Sequence, residues 1–253
     1  MSRCPMGSDG GSFSEPVLDR FDIVPQGLSA ELLVDKWGVS REDLDTFSLQ
    51  SHQRAVQATE QGWFKREIGA VDGVEVDEGP RANSTLEKLA SLKPAFRDDG
   101  QITAASSSQI SDGAASLLIA NANKTERLGL QPRARFVAME VVGSDPTLML
   151  TGPIGATQGV LKRSGMEISD IDLFEVNEAF SVVPLVWSRE TGGDLDKTNV
   201  NGGAVALGHP LGCSGARLVV TLLHEMERRD LQTGLATLCI GWGMAVATII
   251  ERV

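Results

Sequence analysis

Asn201-Gly-Gly-Ala-Val-Ala-Leu-Gly-His-Pro-Leu-Gly-Cys-Ser-Gly215 decides how the rest of the chain is read. It sets glycines at 202, 203, 208, 212 and 215 around His209 and Pro210, just before a helix predicted over 210–228. Glycines this dense let backbone approach a ligand closely, and a loop entering a helix presents free N–H groups. A structural turn with an incidental histidine is the plain alternative. The spacing is not that of a phosphate loop, because no Lys-Ser/Thr follows, and Gly-x-Gly-x-x-Gly is not met either.

Working outward, residues 171–176 read as a strand running into Asn177-Glu-Ala-Phe180, with a helix predicted over 179–189. Asn177 could cap that helix, or stand where α/β sheets place ligands, at a strand's carboxyl end. Toward the C-terminus, 235–240 and 244–250 are apolar strands joined by Gly241-Trp-Gly243, a hairpin signal. Cys239 ends the first of them. A lone strand cysteine is commonly a small buried hydrophobe; here the turn could also lift it to the sheet edge. With a strand at 135–142 and a helix at 153–164, the alternation predicts a layered α/β domain over 132–253.

Upstream the character differs. Residues 1–27 are rich in Gly, Ser, Pro and Asp and read as surface loop. Ser40, with Asp43 at N3, starts a helix that Gly62 stops, and Ser84-Thr-Leu-Glu87 is a second capping-box candidate. Residues 111–130 carry a helical pattern ended by Pro132. The division expected is a loop-and-helix domain over 1–110, a remnant helix over 111–131, and the α/β domain over 132–253.

The chain has 253 residues, 42% hydrophobic and 23% charged, which is ordinary for a soluble globular protein. A net charge of −11 without basic blocks argues against nucleic-acid or anionic-membrane partners. No apolar run reaches a membrane span and the first residues carry no secretory signal. Three cysteines, Cys4, Cys213 and Cys239, form no zinc spacing and point to a reducing compartment, with the cytoplasm as the expected location. No metal and no covalently bound cofactor are expected. Cys213 is expected to pack, and His52 and His224 to be structural or on the surface.

Asn177-Glu-Ala-Phe, the run from Gly202 to Arg217, and Cys239-Ile-Gly together resemble the thiolase family. Weaker matches at 86–96, 106–115 and 149–156 extend the likeness across nearly the whole chain. The resemblance implies an acyltransferase that cleaves or forms 3-ketoacyl-CoA, with acyl-CoA and coenzyme A as substrate and product, usually as a homo-oligomer. It implies that His209 activates a nucleophilic cysteine and forms one oxyanion hole with a water held by Asn177. Cys239 would move the α-carbon proton, and the Gly241 N–H would contribute to a second oxyanion hole. Arg81, Ser108, Met149, Ala179 and Phe180 fall at positions lining the coenzyme A and acyl site.

The family's acylated cysteine lies in an N-terminal domain for which this sequence has no matching motif. Residues 1–7 resemble a stretch that follows that domain. The expectation is a C-terminal portion that works only with a complementing N-terminal chain. A non-catalytic CoA- or lipid-binding relative and an inert truncation product remain open as alternatives. Trp242 stands where thiolases commonly have glycine, and would crowd the turn beside Cys239. Pro25 stands where short-chain thiolases often carry His, and Lys88 where some members carry Ser, which points away from the simplest acetoacetyl substrate.

Overall fold

The computed structural model describes residues 13–253; Cys4 and the motif at 1–7 lie outside the described residues. Its centre is a four-stranded sheet in the order β1-β4-β3-β2, built from β1 (Ala134–Gly143), β2 (Leu173–Val176), β3 (Thr233–Gly241) and β4 (Met244–Arg252). β1 and β3 flank β4 antiparallel, while β2 joins β3 in parallel. The crossover from β2 to β3 carries α7 (Val182–Thr191), the short α8 (Ala204–Leu207) and α9 (Leu211–Arg229).

Two helices cover the sheet. α6 (Gly152–Ser164) packs on β1, β4 and β3, and α9 lies mainly over β3 and β2. Period-two alternation along β2 sorts its side chains between them. Phe174 and Val176 enter the core on the α6 side, with Ala156, Val160 and Trp187. Leu173 packs on the α9 side with Leu218 and Leu222. Every sheet strand lies after residue 132, as the alternation predicted. The result is an α/β layer preceded by a mostly helical and looped region.

That region holds α1 (Glu15–Arg20), α2 (Gln26–Trp37), α3 (Arg41–Glu60) and α4 (Leu86–Ala90). α3 starts as expected, and Asp43 completes the capping box in place of Glu or Gln: Ser40 Oγ accepts from Asp43 N, and Ser40 N donates to Asp43 Oδ2, each at 3.1 Å. For α4 the cap is Thr85 rather than Ser84, its side chain accepting from Lys88 N.

Other expectations need correction. The stretch read as surface loop contains α1, and α2 follows it unforeseen. α2 buries Glu31, which accepts backbone N–H groups of Gln101 and Ile102 at 2.9 Å each. A charged residue on the core face hid the helical period. The helix expected over 111–130 shrinks to α5 (Ala122–Arg127), capped by Asn121. Leu118 and Ile119 are 84% and 66% exposed; with nothing to bury that face, propensity alone does not sustain a helix of this length. α7 begins at Val182, not 179, because Ala179 O accepts from Ser108 N and Ser181 N donates to Ser106 O. The first of these bonds occupies the Ala179 carbonyl, which a helix starting there would offer to Val183 N, and Val183 N donates to Phe180 O instead.

Candidate active site

The site forms where the end of β2, the loop between α8 and α9, and the segment 106–109 meet. Ser108 N donates to Ala179 O at 3.0 Å, and His209 N donates to Gln109 O at 3.2 Å. Gln109 Nε2 donates to the carbonyls of Gly79, Val205 and Ala206. Segment 106–109 therefore staples the 177–180 turn to the glycine-rich loop.

Both ring nitrogens of His209 are held. Nδ1 lies 2.6 Å from Ser214 Oγ, and Nε2 lies 3.2 Å from Asn177 Nδ2. Ser214 Oγ gives its own proton to Pro210 O at 2.9 Å, so toward the ring it can only accept. Nδ1 then carries the proton, and Nε2 offers a lone pair toward Asn177. Burial and the Arg217 charge push the imidazole down to about 4, so it is neutral at physiological pH. Asn177 is buried, and its Oδ1 has no protein partner among the described residues.

Glu178 locks this arrangement from behind. Its carboxylate accepts from Ser51 Oγ of α3 at 2.7 Å, Asn199 Nδ2 at 2.9 Å and Val205 N at 3.0 Å. Ser51 Oγ also accepts from Gly203 N. A Cβ at Gly203 would stand 2.3 Å from the Glu178 carboxyl, so only glycine fits there. Burial raises the Glu178 carboxyl above its usual range, against those donors.

Cys239 is buried near the end of β3, opposite Ala245, in one apolar cluster with Met149, Ala179 and Phe180. Burial pushes its thiol up to about 11, so it rests protonated. Met149 takes φ +48°, a left-handed backbone rare for a side chain of its size. The hairpin turn after Cys239 has positive φ at Trp242 (48°) and Gly243 (86°), as two-residue hairpins require. The Trp242 ring packs edge-on against Phe13 with centroids 5.1 Å apart and stays half-exposed. Gly241 lies at φ +127° where β3 ends.

Among the sequence-derived positions, Asn177 and His209 are in contact, Ser108 is tied to Ala179, and Met149, Ala179 and Phe180 gather with Cys239. Arg81 stands apart: its side chain is exposed, and its backbone N donates to His52 Nδ1 at 3.1 Å. His52 is buried, as a structural histidine would be. Cys213 is buried. Sequence reading missed Ser51, Glu178, Asn199, Gln109 and Ser214. Of these, Glu178 and Ser214 sat inside the strong motifs and Gln109 inside the weaker match at 106–115, whereas Ser51 and Asn199 lay in none.

Two family models match the chain. The model described as the thiolase N-terminal domain matches residues 7–123, and that of the thiolase C-terminal domain matches 130–252. The chain belongs to the thiolase family. The acetyl-CoA acetyltransferase of Pseudomonas aeruginosa is 46% identical over 243 residues, covering 92% of this chain and 62% of that protein. The 3-ketoacyl-CoA thiolase of Erwinia tasmaniensis is 51% identical over 240 residues, covering 90% and 62%. Among solved structures, Bacillus anthracis acetyl-CoA acetyltransferase superposes with a TM-score of 0.87 at 41% identity, covering 96% of this chain and 65% of that one. Human mitochondrial 3-ketoacyl-CoA thiolase in complex with CoA gives 0.87 at 39% identity, covering 91% and 59%. The chain thus spans less than two thirds of the length of these thiolases.

Proposed function

We propose that this chain supplies the acid/base part of a thiolase site, acting on 3-ketoacyl-CoA when a complementing polypeptide brings the nucleophilic cysteine. The observation that carries this reading is the His209 imidazole, neutral and fixed at both nitrogens with its lone pair on Nε2. In that state it can take the proton of an incoming thiol. The 3.2 Å contact to Asn177 is long enough to be exchanged for that proton. Asn177 Oδ1, an unpaired buried acceptor, suits a water placed beside a developing oxyanion.

Cys239 fits the second proton transfer. In thiolysis, attack on the 3-keto carbon breaks the α–β carbon bond and leaves its electron pair on the α-carbon. The protonated Cys239 thiol then supplies the proton. Condensation runs the same steps backward, with the Cys239 thiolate removing the α-proton. Met149, Ala179 and Phe180 around the sulfur would line the acyl side, the Gly241 N–H would face the thioester oxygen, and Ser108 and Arg81 would lie toward coenzyme A.

The partner has a place to dock. α9 and residues 112–122 border an open groove of about 1570 Å³, lined also by Val71, Phe136 and Ile250. Nearby, alternation leaves Met139 and Val141 of β1 exposed on the face opposite α6. An apolar, open face of this kind suits a protein partner, here the thiolase region beyond the part that this chain matches.

Radiolabelled acetyl-CoA tests the reading. The 253-residue chain should take up no stable label, whereas its mixture with the nucleophile-bearing part of a thiolase should. Stoichiometric thioester on the chain alone would contradict it. Cys239 alkylation separates the non-catalytic alternative: a pure CoA binder would lose nothing beyond binding, whereas here thiolysis by the mixture should stop.

A further inference from the structure

We propose that the ion pair between half-buried Arg217 and buried Glu175 is a positioning pair for the His209 imidazole, fixing the register of α9 against β2. The inference rests on the reading of His209 as the base, and adds two residues that touch neither substrate nor the reacting atoms. Three polar contacts close a ring between the two elements. Ser214 Oγ of α9 meets His209 Nδ1 at 2.6 Å, His209 Nε2 meets Asn177 Nδ2 at 3.2 Å, and Arg217 Nη1 meets Glu175 Oε2 at 3.0 Å.

The spacings make the ring rigid. Arg217 lies three residues beyond Ser214, on the same side of α9 one turn on. Glu175 lies two residues before Asn177, on the same face of β2. That face is the one toward α9, since Leu173 packs there against Leu218 and Leu222. Apolar contacts of this kind set how close a helix sits but are non-directional, so they leave sliding and rotation of α9 weakly determined. The directional contact between α9 and β2 is the ion pair, whose side chains are 19% and 3% exposed. Because His209 enters α9 through Pro210, slippage by a fraction of an ångström would shift the imidazole relative to Asn177 at the end of β2 and free the ring to exchange its proton between nitrogens.

A buried ion pair is a poor stabiliser: replacing both partners by apolar residues of similar size is commonly neutral or favourable. What it supplies is a unique register, and this separates the proposal from a structural role. The test is ¹⁵N NMR of the imidazoles of the full chain at pH 8, where His209 is neutral, with H209Q identifying its signals. The wild type should give one protonated Nδ1 and one bare Nε2. The double variant E175M/R217M should melt at or above the parent's temperature, yet show the two His209 signals converging as the tautomers mix. R217K should restore part of the separation that R217M loses. Wild-type His209 signals in a folded E175M/R217M chain would overturn the proposal. So would failure of that double variant to fold, which would make the pair structural. No CoA ester enters this experiment, so its failure is distinct from failure of the thiolase reading.

Discussion

His209 and Ser214 make the residue scale concrete. With Ser214 replaced by alanine, Nδ1 loses its acceptor, and the S214A imidazole should show mixed tautomers in the same ¹⁵N spectrum. An unchanged spectrum would mean that Asn177 alone holds the ring. The pH dependence follows from the held-down imidazoles. In the fold His52 and His209 are pushed to about 4, whereas an unfolded histidine titrates near 6.5. Between those values the unfolded chain binds protons that the folded chain refuses. Stability therefore falls as pH drops from about 7 toward 4, by up to about 3 kcal/mol for each ring. H209Q should lose less stability than the parent between pH 7 and pH 5 in urea titrations; equal losses would show that the ring protonates freely in the fold. His209, Asn177 and Cys239 were legible because each sits in a short motif. Ser51 and Asn199 were not, because they act on Glu178 from 127 and 21 residues away in sequence.

At the scale of elements, caps and buried carboxylates decide what forms. S40A removes a complete capping box from α3 and should cost about 1 kcal/mol in chemical denaturation. Glu178 should matter more. E178L would leave Ser51 Oγ, Asn199 Nδ2 and Val205 N without their acceptor, at a cost of about 3 kcal/mol or more. E178Q keeps an acceptor oxygen and should cost about 1 kcal/mol; equal effects of the two would show that the hub contributes little. Strands and long helices after residue 132 were readable because period two and period 3.6 dominate there. α2 was not, since buried Glu31 masks its apolar face. The helical pattern at 111–130 misled for the opposite reason: propensity was present and a packing surface was not. Among the described residues no helix is long and apolar enough to cross a membrane.

The whole molecule presents the site at the margin of an open apolar groove. Leu118, Ile119 and Val71 line it, and each is more than three-fifths exposed. Their exposure should make the isolated chain bind an apolar fluorescent dye, and a complementing polypeptide should displace it. That the chain spans less than two thirds of its relatives matches what the sequence suggested: the motifs proposed for acid/base work appear without a matching nucleophile motif. The groove itself was not legible there, because it depends on which helix covers which strands. The most direct measurement combines this chain with the nucleophile-bearing part of the Erwinia tasmaniensis 3-ketoacyl-CoA thiolase and follows thiolysis of a 3-ketoacyl-CoA. The account expects no turnover from either polypeptide alone, turnover from the mixture, and its loss by at least about a hundredfold with H209Q or C239S. A complex that forms but stays inactive, or one whose turnover survives both substitutions, would contradict it.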